Sequence, residues 1–231
     1  MHDPGSTVLD PLAPADRELL LGRAVARGLR PGETLSFAGE PPRRVHLVTG
    51  GVLKLVGRDV EGNQTILGLC LPGDLAGAAE ALGGGPAPYD HVAAARSGVL
   101  GFDAALFAQV LGRNPVACVA LVRALGGRVR WLCEAAQERS SANVPARLAG
   151  RLLDLAETIG RPHDGYVELE LPFPQRDLGG LAGMCRESAC RTLRRWKSHG
   201  TLDYEGRTLR IRRPEVLRAI RCAGRGATPS R

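Results

Sequence analysis

The chain has 231 residues, of which 31 are Lys or Arg and 24 are Asp or Glu, so its net charge is +7. A hydrophobic content of 44% excludes a disordered chain. The length suits two compact domains of roughly 100 residues each. Residues 1–143 carry 14 basic and 14 acidic side chains, whereas residues 144–231 carry 17 basic and 10 acidic ones. The whole surplus lies in the second part, which predicts a neutral domain followed by one that faces a polyanion.

The sequence shows no targeting or membrane segment. Residues 1–20 lack a basic start followed by an apolar core, and no stretch approaches the ~20 apolar residues of a spanning helix. We therefore expect a cytoplasmic protein without a membrane partner. No cysteine pair has CxxC spacing, and we expect free thiols, no metal site and no cofactor. The six cysteines are Cys70, Cys118, Cys133, Cys185, Cys190 and Cys222.

The first predicted elements are a helix and a set of strands. Helical spacing covers residues 14–28, and short apolar runs cut by glycine follow at 34–37, 45–48, 52–56, 65–70, 92–94 and 99–102. Gly50-Gly51 and Glu61-Gly62-Asn63 lie between successive runs. Because glycine and asparagine tolerate positive φ, these two junctions predict hairpins. Strands this short and regularly spaced predict an antiparallel β-roll (jelly-roll).

A long helix is predicted after Asn114-Pro115, with Asn114 as N-cap and Pro115 at the first helical position. One row has coiled-coil spacing and comprises Cys118, Leu121, Leu125, Arg128, Leu132 and Ala135. A second row beside it comprises Val122, Gly126, Val129, Cys133 and Ala136. One row can pack on the roll and the other on a second copy of the chain, which predicts a homodimer. The alternative is an ordinary core helix.

A hinge is predicted at residues 140–145. Ser140-Ser141-Ala142-Asn143 ends the long helix, and Asn143-Val144-Pro145 begins another that stops near Gly160. Beyond it we expect a strand over 166–171, short helices over 174–182 and 186–199, and a brief helix over 214–221. A hairpin of strands 201–204 and 207–212 is predicted across Glu205-Gly206.

Residues 175–196 have the design of a helix-turn-helix. Gly179 lets the two helices approach and Gly183 makes the turn between them. The apolar contacts come from Leu178, Ala182, Met184, Ala189 and Leu193. In such a motif the second helix lies in the major groove and presents its first two turns to base edges.

The second helix carries side chains suited to reading DNA. Arginine donates two hydrogen bonds to guanine, and glutamate accepts one from cytosine N4. Residues 176–199 have a charge of +4, which suits phosphate contact. The alternative is a solvated basic helix. We expect double-stranded DNA to be contacted by Arg176, Arg186, Glu187, Cys190, Arg191, Arg194 and Lys197.

At these residues the chain resembles the CRP/FNR family of bacterial transcription regulators, over nearly its whole length. The motifs are Leu71-Pro72-Gly73-Asp74 before the family's ligand cassette, residues 59–67 ahead of it, and Arg186-Glu187-x-x-x-Arg191 on the recognition helix. The resemblance implies that these three positions read a palindrome of TGTGA-like half-sites. Cys190 stands where the cyclic-AMP branch often has glycine and the FNR branch serine.

The resemblance implies an α+β fold with three parts. Residues 1–112 are expected to form a cyclic-nucleotide-binding-like β-roll sensor, residues 113–142 a dimerisation helix with the hinge, and residues 143–231 a winged helix-turn-helix. The expected partners are DNA, a second copy of the chain and RNA polymerase. An unknown small-molecule effector is a further candidate partner.

The ligand cassette departs from the family's pattern. In cyclic-nucleotide-binding members a glutamate bonds the ribose and an arginine the cyclic phosphate, and these positions are Ala78 and Pro88 here, with Tyr89 in place of the following serine. A buried phosphate without a guanidinium is costly, so control by cyclic AMP is not expected. Another effector pocket is a candidate at Gly77, Ala78, Glu80, Tyr89 and Asp90. The alternative is a simple loop.

The sequence gives different support to three other kinds of sensor: an iron-sulfur cluster, a haem and an oxidisable thiol. Residues 1–69 contain no cysteine, which excludes the iron-sulfur cluster of the FNR type. A haem would need an axial ligand such as His46, His91 or Cys70. Thiol oxidation stays open at Cys185 and Cys190, which lie beside arginines on the recognition helix.

Two functions of other classes compete with DNA binding. A thiol enzyme built on Cys185 would need a base, and the nearest downstream histidine, His199, lies at the far end of the same helix. We therefore expect no enzyme. A roll that serves as a protein-interaction module without DNA binding is the other alternative.

Overall fold

The computed structural model describes residues 8–58, 64–141, 143–171, 173 and 176–224. Two compact units divide the chain between Arg130 and Trp131. Among the described residues no single helix is long and apolar enough to cross a membrane, and only one pair of helices, bent by 116°, reaches that length and hydropathy together.

The N-terminal unit, up to Arg130, is a β-roll flanked by helices. Its elements are α1 (Pro14–Gly22), β1 (Val25–Leu29), β2 (Thr34–Ser36), β3 (Arg44–Gly50), β4 (Leu53–Arg58), β5 (Gln64–Cys70), β6 (Leu75–Ala76), α2 (Ala78–Gly83), β7 (Asp90–Ala93), β8 (Ser97–Asp103), α3 (Ala104–Arg113) and the first part of α4 (Pro115–Ser141).

Two antiparallel four-stranded sheets form the roll, in the orders β1-β8-β3-β6 and β2-β7-β4-β5. Apolar side chains from both sheets meet between them: Leu29, Val48, Leu53, Leu55, Cys70, Ala76, Ala93 and Val99. The predicted antiparallel β-roll is therefore confirmed.

One of the two predicted hairpins is wrong. Gly51 does adopt a positive φ of 70°, as a turn requires, but β3 and β4 on either side of it belong to different sheets. A Cβ at Gly51 would collide with the carbonyl oxygen of Arg96, so the chain turns here against another segment. The second predicted hairpin joins β4 to β5, which do pair. Its turn, at residues 61–63, lies outside the described residues.

The helix predicted over residues 14–28 is too long. It ends at Gly22, and residues 25–29 form β1 instead. This strand pairs with β8, with Val25 opposite Gly101. The backbone groups of the segment find their hydrogen-bond partners in β8, and this tertiary pairing overrides the local helical spacing.

A second core lies outside the roll. It combines Leu20 of α1, Val45 of β3, Phe102 of β8, Phe107 of α3 and Leu121 of α4. Helix α3 and the short elements β6 and α2 were not predicted. The Asp103 side chain caps α3 by accepting a hydrogen bond from the Leu106 amide at 3.0 Å.

Helix α4 begins at Pro115 as predicted, and its two sides have different surroundings. Leu121 is buried, and Leu125 packs on the second core beside it. Cys118 and Leu132 of the same predicted row are exposed instead. The other side carries exposed valines, Val116, Val119, Val122 and Val129. The helix therefore buries one face in the N-terminal unit and leaves an apolar face uncovered.

The C-terminal unit, from Trp131, contains the end of α4, α5 (Val144–Ile159), β9 (Arg161–His163), β10 (Tyr166–Glu170), α6 (Arg176–Leu181), α7 (Arg186–Ser198), β11 (Leu202–Glu205), β12 (Thr208–Ile211) and α8 (Pro214–Gly224). The strands form one antiparallel sheet in the order β11-β12-β10-β9. Asn143 caps α5 as predicted, because its side chain accepts a hydrogen bond from the Ala146 amide at 3.0 Å. Only β9 was not predicted.

Candidate nucleic-acid interface

Helices α6 and α7 pack closely because the α6 residue at their contact, Gly179, has no side chain. A Cβ at Gly179 would lie 3.2 Å from the Met184 carbonyl oxygen and 3.3 Å from the Ala189 Cβ, so a larger residue would push the helices apart. Gly183 has a φ of 62° in the turn, a conformation that favours glycine. Leu178, Ala182, Ala189 and Leu193 are buried between and beneath the helices. The predicted helix-turn-helix is therefore present.

The outward face of α7 carries charged side chains near its N-terminus. Arg186, Glu187, Arg191 and Arg194 are exposed, and Cys190 is half-buried among them. Arg176 begins α6, but its side chain lies outside the described residues. The face thus offers two guanidinium groups and one carboxylate within two turns, which is the chemistry that reads guanine and cytosine edges.

The carboxylate of Glu187 is ionised at neutral pH. Its pKa lies below the ordinary value because its own backbone amide, the Cys185 side chain and the neighbouring Arg186 and Arg191 stabilise the charged form. An ionised glutamate only accepts hydrogen bonds. Glu187 is therefore suited to a donor such as the amino group of cytosine.

Cys185 precedes α7 as its N-cap residue, but its side chain makes no capping bond to the helix backbone. Its thiol donates to the Ser188 hydroxyl at 3.2 Å and is exposed. The two cysteines predicted as candidates for oxidation, Cys185 at the N-cap and Cys190 within α7, both have free thiols.

Lys197 is committed to the hairpin that follows α7. Its Nζ lies 2.7 Å from Asp203 Oδ1 and donates to the Tyr204 carbonyl oxygen at 3.1 Å. It also sits 4.8 Å from the centre of the Tyr204 ring. The hydrogen bond from Lys197, with help from the Tyr204 amide, lowers the pKa of Asp203. Lys197, predicted to contact DNA, therefore joins the recognition helix to the β11–β12 hairpin.

The tip of this hairpin carries a residue that the sequence did not single out. Gly206 has a φ of 56°, and Arg207 beside it is exposed, with no ion pair to any residue in the described part of the chain. By contrast, Arg210 on β12 is bonded to Glu168 at 3.0 Å. The Glu205-Gly206 turn signal was available in the sequence and points to Arg207 as a wing-tip cation suited to a phosphate.

A residue of α5 holds the turn of the helix-turn-helix. Arg147 donates from Nε to the Ala182 carbonyl oxygen at 3.1 Å and from Nη2 to the Gly183 carbonyl oxygen at 3.2 Å. Ala182 and Gly183 directly follow the end of α6, where carbonyl oxygens lack partners within the helix. Arg147 therefore fixes the turn to the scaffold helix, a role that no local motif indicated.

The residues predicted as an effector pocket are placed in different surroundings. Gly77 and Glu80 line a cleft of about 590 Å³ at one end of the roll. The Tyr89 hydroxyl donates to Glu80. Ala78 belongs to the second core outside the roll, and Asp90 accepts from the Ala38 amide at 2.8 Å and from Arg58 Nε at 3.1 Å. Of the five residues, only Gly77 and Glu80 therefore line this cleft.

The interior of the roll contains a guanidinium that the cassette motif did not indicate. Arg128 of α4 donates to the Cys70 thiol at 3.6 Å. Burial raises the pKa of Cys70 despite this arginine, so the thiol is protonated at neutral pH. Burial also lowers the pKa of His91 and of His46 to about 4, so both rings are neutral. His91 Nδ1 lies 2.8 Å from the Ser36 hydroxyl.

Family comparisons match both units of the chain. Residues 26–114 match the family model of the cyclic nucleotide-binding domain, and residues 146–220 match that of the Crp-like helix-turn-helix domain. The first match covers the roll, and the second covers α6, α7 and the hairpin that follows.

Characterised relatives align over most of the chain. A CRP-like cAMP-activated global transcriptional regulator of Mycobacterium tuberculosis is 24% identical over 186 residues, covering 80% of this chain and 83% of that protein. The fumarate and nitrate reduction regulatory protein of Escherichia coli is 24% identical over 189 residues, covering 82% of this chain and 75% of that protein.

Solved structures share the fold. FixK2 from Bradyrhizobium japonicum superposes with a TM-score of 0.75 at 22% identity, covering 85% of this chain and 96% of that one. A CooA mutant from Carboxydothermus hydrogenoformans gives a TM-score of 0.75 at 18% identity, covering 94% and 100%. Together with the helix-turn-helix geometry described above, the matches to the two family models show that the chain belongs to the CRP/FNR family of DNA-binding transcription regulators.

Proposed function

We propose that the protein acts as a homodimer whose two α7 helices enter adjacent major grooves of a palindromic DNA site with TGTGA-like half-sites. The observation that carries this proposal is the exposed face of α7, which carries Arg186, Glu187 and Arg191. The exposed Arg207 lies at the tip of the hairpin that follows. The two arginines and the glutamate supply base contacts, and Arg207 supplies a phosphate contact.

The uncovered face of α4 supports the dimer. Val116, Val119, Val122 and Val129 are 68%, 48%, 62% and 59% exposed, while Leu121 on the other side of the helix is buried. A helix with apolar residues on both sides buries both in its functional state. A second copy of the same helix, related by a two-fold axis, covers this face with an identical valine row.

A two-fold dimer predicts the form of the DNA site. Each recognition helix reads one half-site, and the half-sites lie about 34 Å or 10 base pairs apart, centre to centre, so that both helices reach the same side of the duplex. The site is then an inverted repeat. Contact with RNA polymerase, expected of a regulator of this family, stays a prediction.

Three features support the proposal that cyclic AMP does not control the protein. Ala78 offers no carboxylate for a ribose, and it lies in the core outside the roll. The Tyr89 hydroxyl is already bonded to Glu80. Arg128 does bring a guanidinium into the roll, but that group is bonded to Cys70. A nucleotide would have to break these bonds before it could form its own.

DNA reading is tested by fluorescence anisotropy of the full chain on a TGTGA palindrome and on a scrambled duplex. Arg186→Ala should lower affinity for the palindrome by about 1–3 kcal/mol, which is roughly 5- to 150-fold, because a bidentate base contact is lost. Affinity for the scrambled duplex should change far less. The control is Arg218→Ala, which removes the same charge from the exposed side of α8. Equal losses on both duplexes would show that Arg186 contacts only phosphate.

The dimer is tested by light scattering during size-exclusion chromatography. Val122→Glu places a charge in the middle of the uncovered face and should give a monomer, because an unpaired carboxylate is not tolerated in an apolar interface. The control is Leu82→Glu, which changes a partly exposed leucine of α2 in the same unit. A dimer of unchanged mass in the Val122→Glu variant would contradict the proposed interface.

Independence from cyclic AMP is tested by isothermal titration of cyclic AMP into the protein, with a known cyclic-AMP-binding member of the family as positive control. No heat of binding is expected. Saturable binding in the micromolar range would refute this part of the proposal and would assign a ligand role to Arg128.

A further inference from the structure

The C-terminal unit contains a closed ring of four charged side chains. Glu138, near the end of α4, accepts from Arg151 with one carboxylate oxygen and from Arg221 Nε, at 3.1 Å, with the other. Arg221 Nη1 donates to Asp154 Oδ1 at 3.1 Å. Arg151 Nη1 lies 2.9 Å from Asp154 Oδ2, an ion pair that closes the ring. Positive and negative groups alternate, so the ring is neutral.

The ring is packed tightly into the unit. The side chains of Glu138 and Arg151 are each only 3% exposed, and the Arg151 guanidinium lies 4.9 Å from the centre of the Trp131 ring. A Cβ at Gly150 would lie 3.2 Å from Glu138 Oε1 and 3.3 Å from Arg221 Nε. Gly150 therefore makes room for the ring directly against the backbone of α5.

Three helices meet at the ring. Glu138 belongs to α4, Arg151 and Asp154 to α5, and Arg221 to α8. The end of α4 and the start of α5 are separated by a break in the helix, the segment where the sequence predicts a hinge. The ring joins side chains from both sides of this segment, and Arg147 on α5 then holds the helix-turn-helix.

Stability alone does not account for such a ring. A buried ion pair loses its hydration, and apolar side chains of similar volume often stabilise a fold as well or better. Charged hydrogen bonds are more directional than apolar contacts, because a guanidinium N–H donates to a carboxylate oxygen only over a narrow range of angles. Three of the four contacts in the ring are hydrogen bonds of this kind. The ring therefore supplies orientation.

We propose that Glu138, Arg151, Asp154 and Arg221 are positioning residues for DNA binding: they fix the direction of α5, and through it of α7, relative to the last turns of α4. The inference rests on the proposed dimeric function. In a dimer formed through α4, this direction sets the distance between the two recognition helices. The ring then determines which spacing between half-sites the protein accepts.

The experiment measures binding of the full chain, by fluorescence anisotropy, to palindromes whose half-site centres lie about 10 base pairs apart, or one or two base pairs closer or farther apart. A duplex with a single half-site is measured in parallel. The wild type should prefer one spacer by at least about tenfold, since one base pair moves a half-site along and around the helix. Glu138→Gln and the double variant Glu138→Met/Arg151→Met should reduce this preference to less than about threefold while binding the single half-site as the wild type does.

The double variant keeps the test decisive if the single one does not fold, since it replaces the buried pair with apolar side chains of similar length. A cooperative urea unfolding transition confirms folding, because the tryptophan signal alone also changes when Arg151 leaves the Trp131 ring. The matched control is Arg210→Met, which breaks the Arg210–Glu168 pair in the same unit and should keep the wild-type spacer profile. If the ring variants fold and keep the wild-type spacer profile, the inference about the ring is overturned, while the proposed palindromic site is not. A wild type without any spacer preference would overturn both the inference and the proposed palindromic site.

Discussion

Replacing Arg147 with methionine tests whether the turn of the helix-turn-helix depends on the scaffold helix. The change removes two hydrogen bonds from a charged donor, to the carbonyl oxygens of Ala182 at 3.1 Å and Gly183 at 3.2 Å. Hydrogen bonds to charged groups each contribute about 1.5 kcal/mol or more. The free energy of unfolding of the C-terminal unit should therefore fall by about 3 kcal/mol.

Urea unfolding followed by tryptophan fluorescence measures this effect. The chain has two tryptophans, Trp131 and Trp196, and both lie in the C-terminal unit, so the signal reports that unit alone. With a dependence of ~1.5 kcal/mol per molar urea, the expected loss lowers the midpoint by about 2 M. DNA affinity should fall as well, because binding must then order the turn.

The control is Arg218→Met, which removes one positive charge from an exposed position of α8. A midpoint for Arg147→Met within about 0.3 M of that control would refute the reasoning, since it would mean that the two carbonyls find equal partners without the guanidinium.

The roll, the long helix and the recognition helix each give a further test. Burial holds the pKa of His91 at about 4, against 6.5 when unfolded, so the unfolded state binds more protons between these values. Protonation of His91 alone should therefore lower the stability of the N-terminal unit by up to ~1.4 kcal/mol per pH unit as pH falls from 6.5 to 4, and His46 adds a similar loss. Thermal melts by circular dichroism should show a smaller slope for His91→Gln, and equal slopes would contradict this. A Cβ at Gly127 of α4 meets nothing within 4 Å. Gly127→Ala should therefore stabilise the helix by about 1 kcal/mol, because alanine has the higher helix propensity. An unchanged melting temperature would contradict this prediction. Peroxide should weaken DNA binding through oxidation of the half-buried Cys190; in a gel shift, equal sensitivity of Cys190→Ser would exclude that thiol.

Local signals in the sequence were sufficient for the elements whose partners are close along the chain. Helices α4 and α5 start where predicted. The Asn143 side chain caps α5 by bonding to the Ala146 amide within one helical turn, and Pro115 at the first position of α4 has no amide to satisfy. The Asn114 side chain, predicted as the other cap, accepts a hydrogen bond from the distant Ala13 amide at 2.9 Å. Gly179 and Gly183 identified the helix-turn-helix for the same reason: the helices they separate are adjacent in sequence.

The errors concern pairings between distant segments. Residues 25–29 have helical spacing but form a strand, since their partner is β8. Gly51 makes a turn, yet no local rule tells which sheet the next strand enters. Arg128 fitted a helical row, and only the folded roll brings it to Cys70. Likewise, nothing near Glu138 in the sequence indicates Arg221 as its partner.

The position of β8 in the roll has a consequence for how the protein is made. β8 lies between β1 and β3, and it pairs Gly101 with Val25, so neither strand has this neighbour until residue 101 has been synthesised. At synthesis rates of about 5–20 residues per second, β1 waits on the order of 4–15 s with an unpaired edge. By contrast, the helix-turn-helix and the β11–β12 hairpin are built from elements adjacent in sequence, so their pairing partners are synthesised within a few seconds of each other. The roll is therefore the slow and aggregation-prone part of the nascent chain, and the part that gains most from a chaperone.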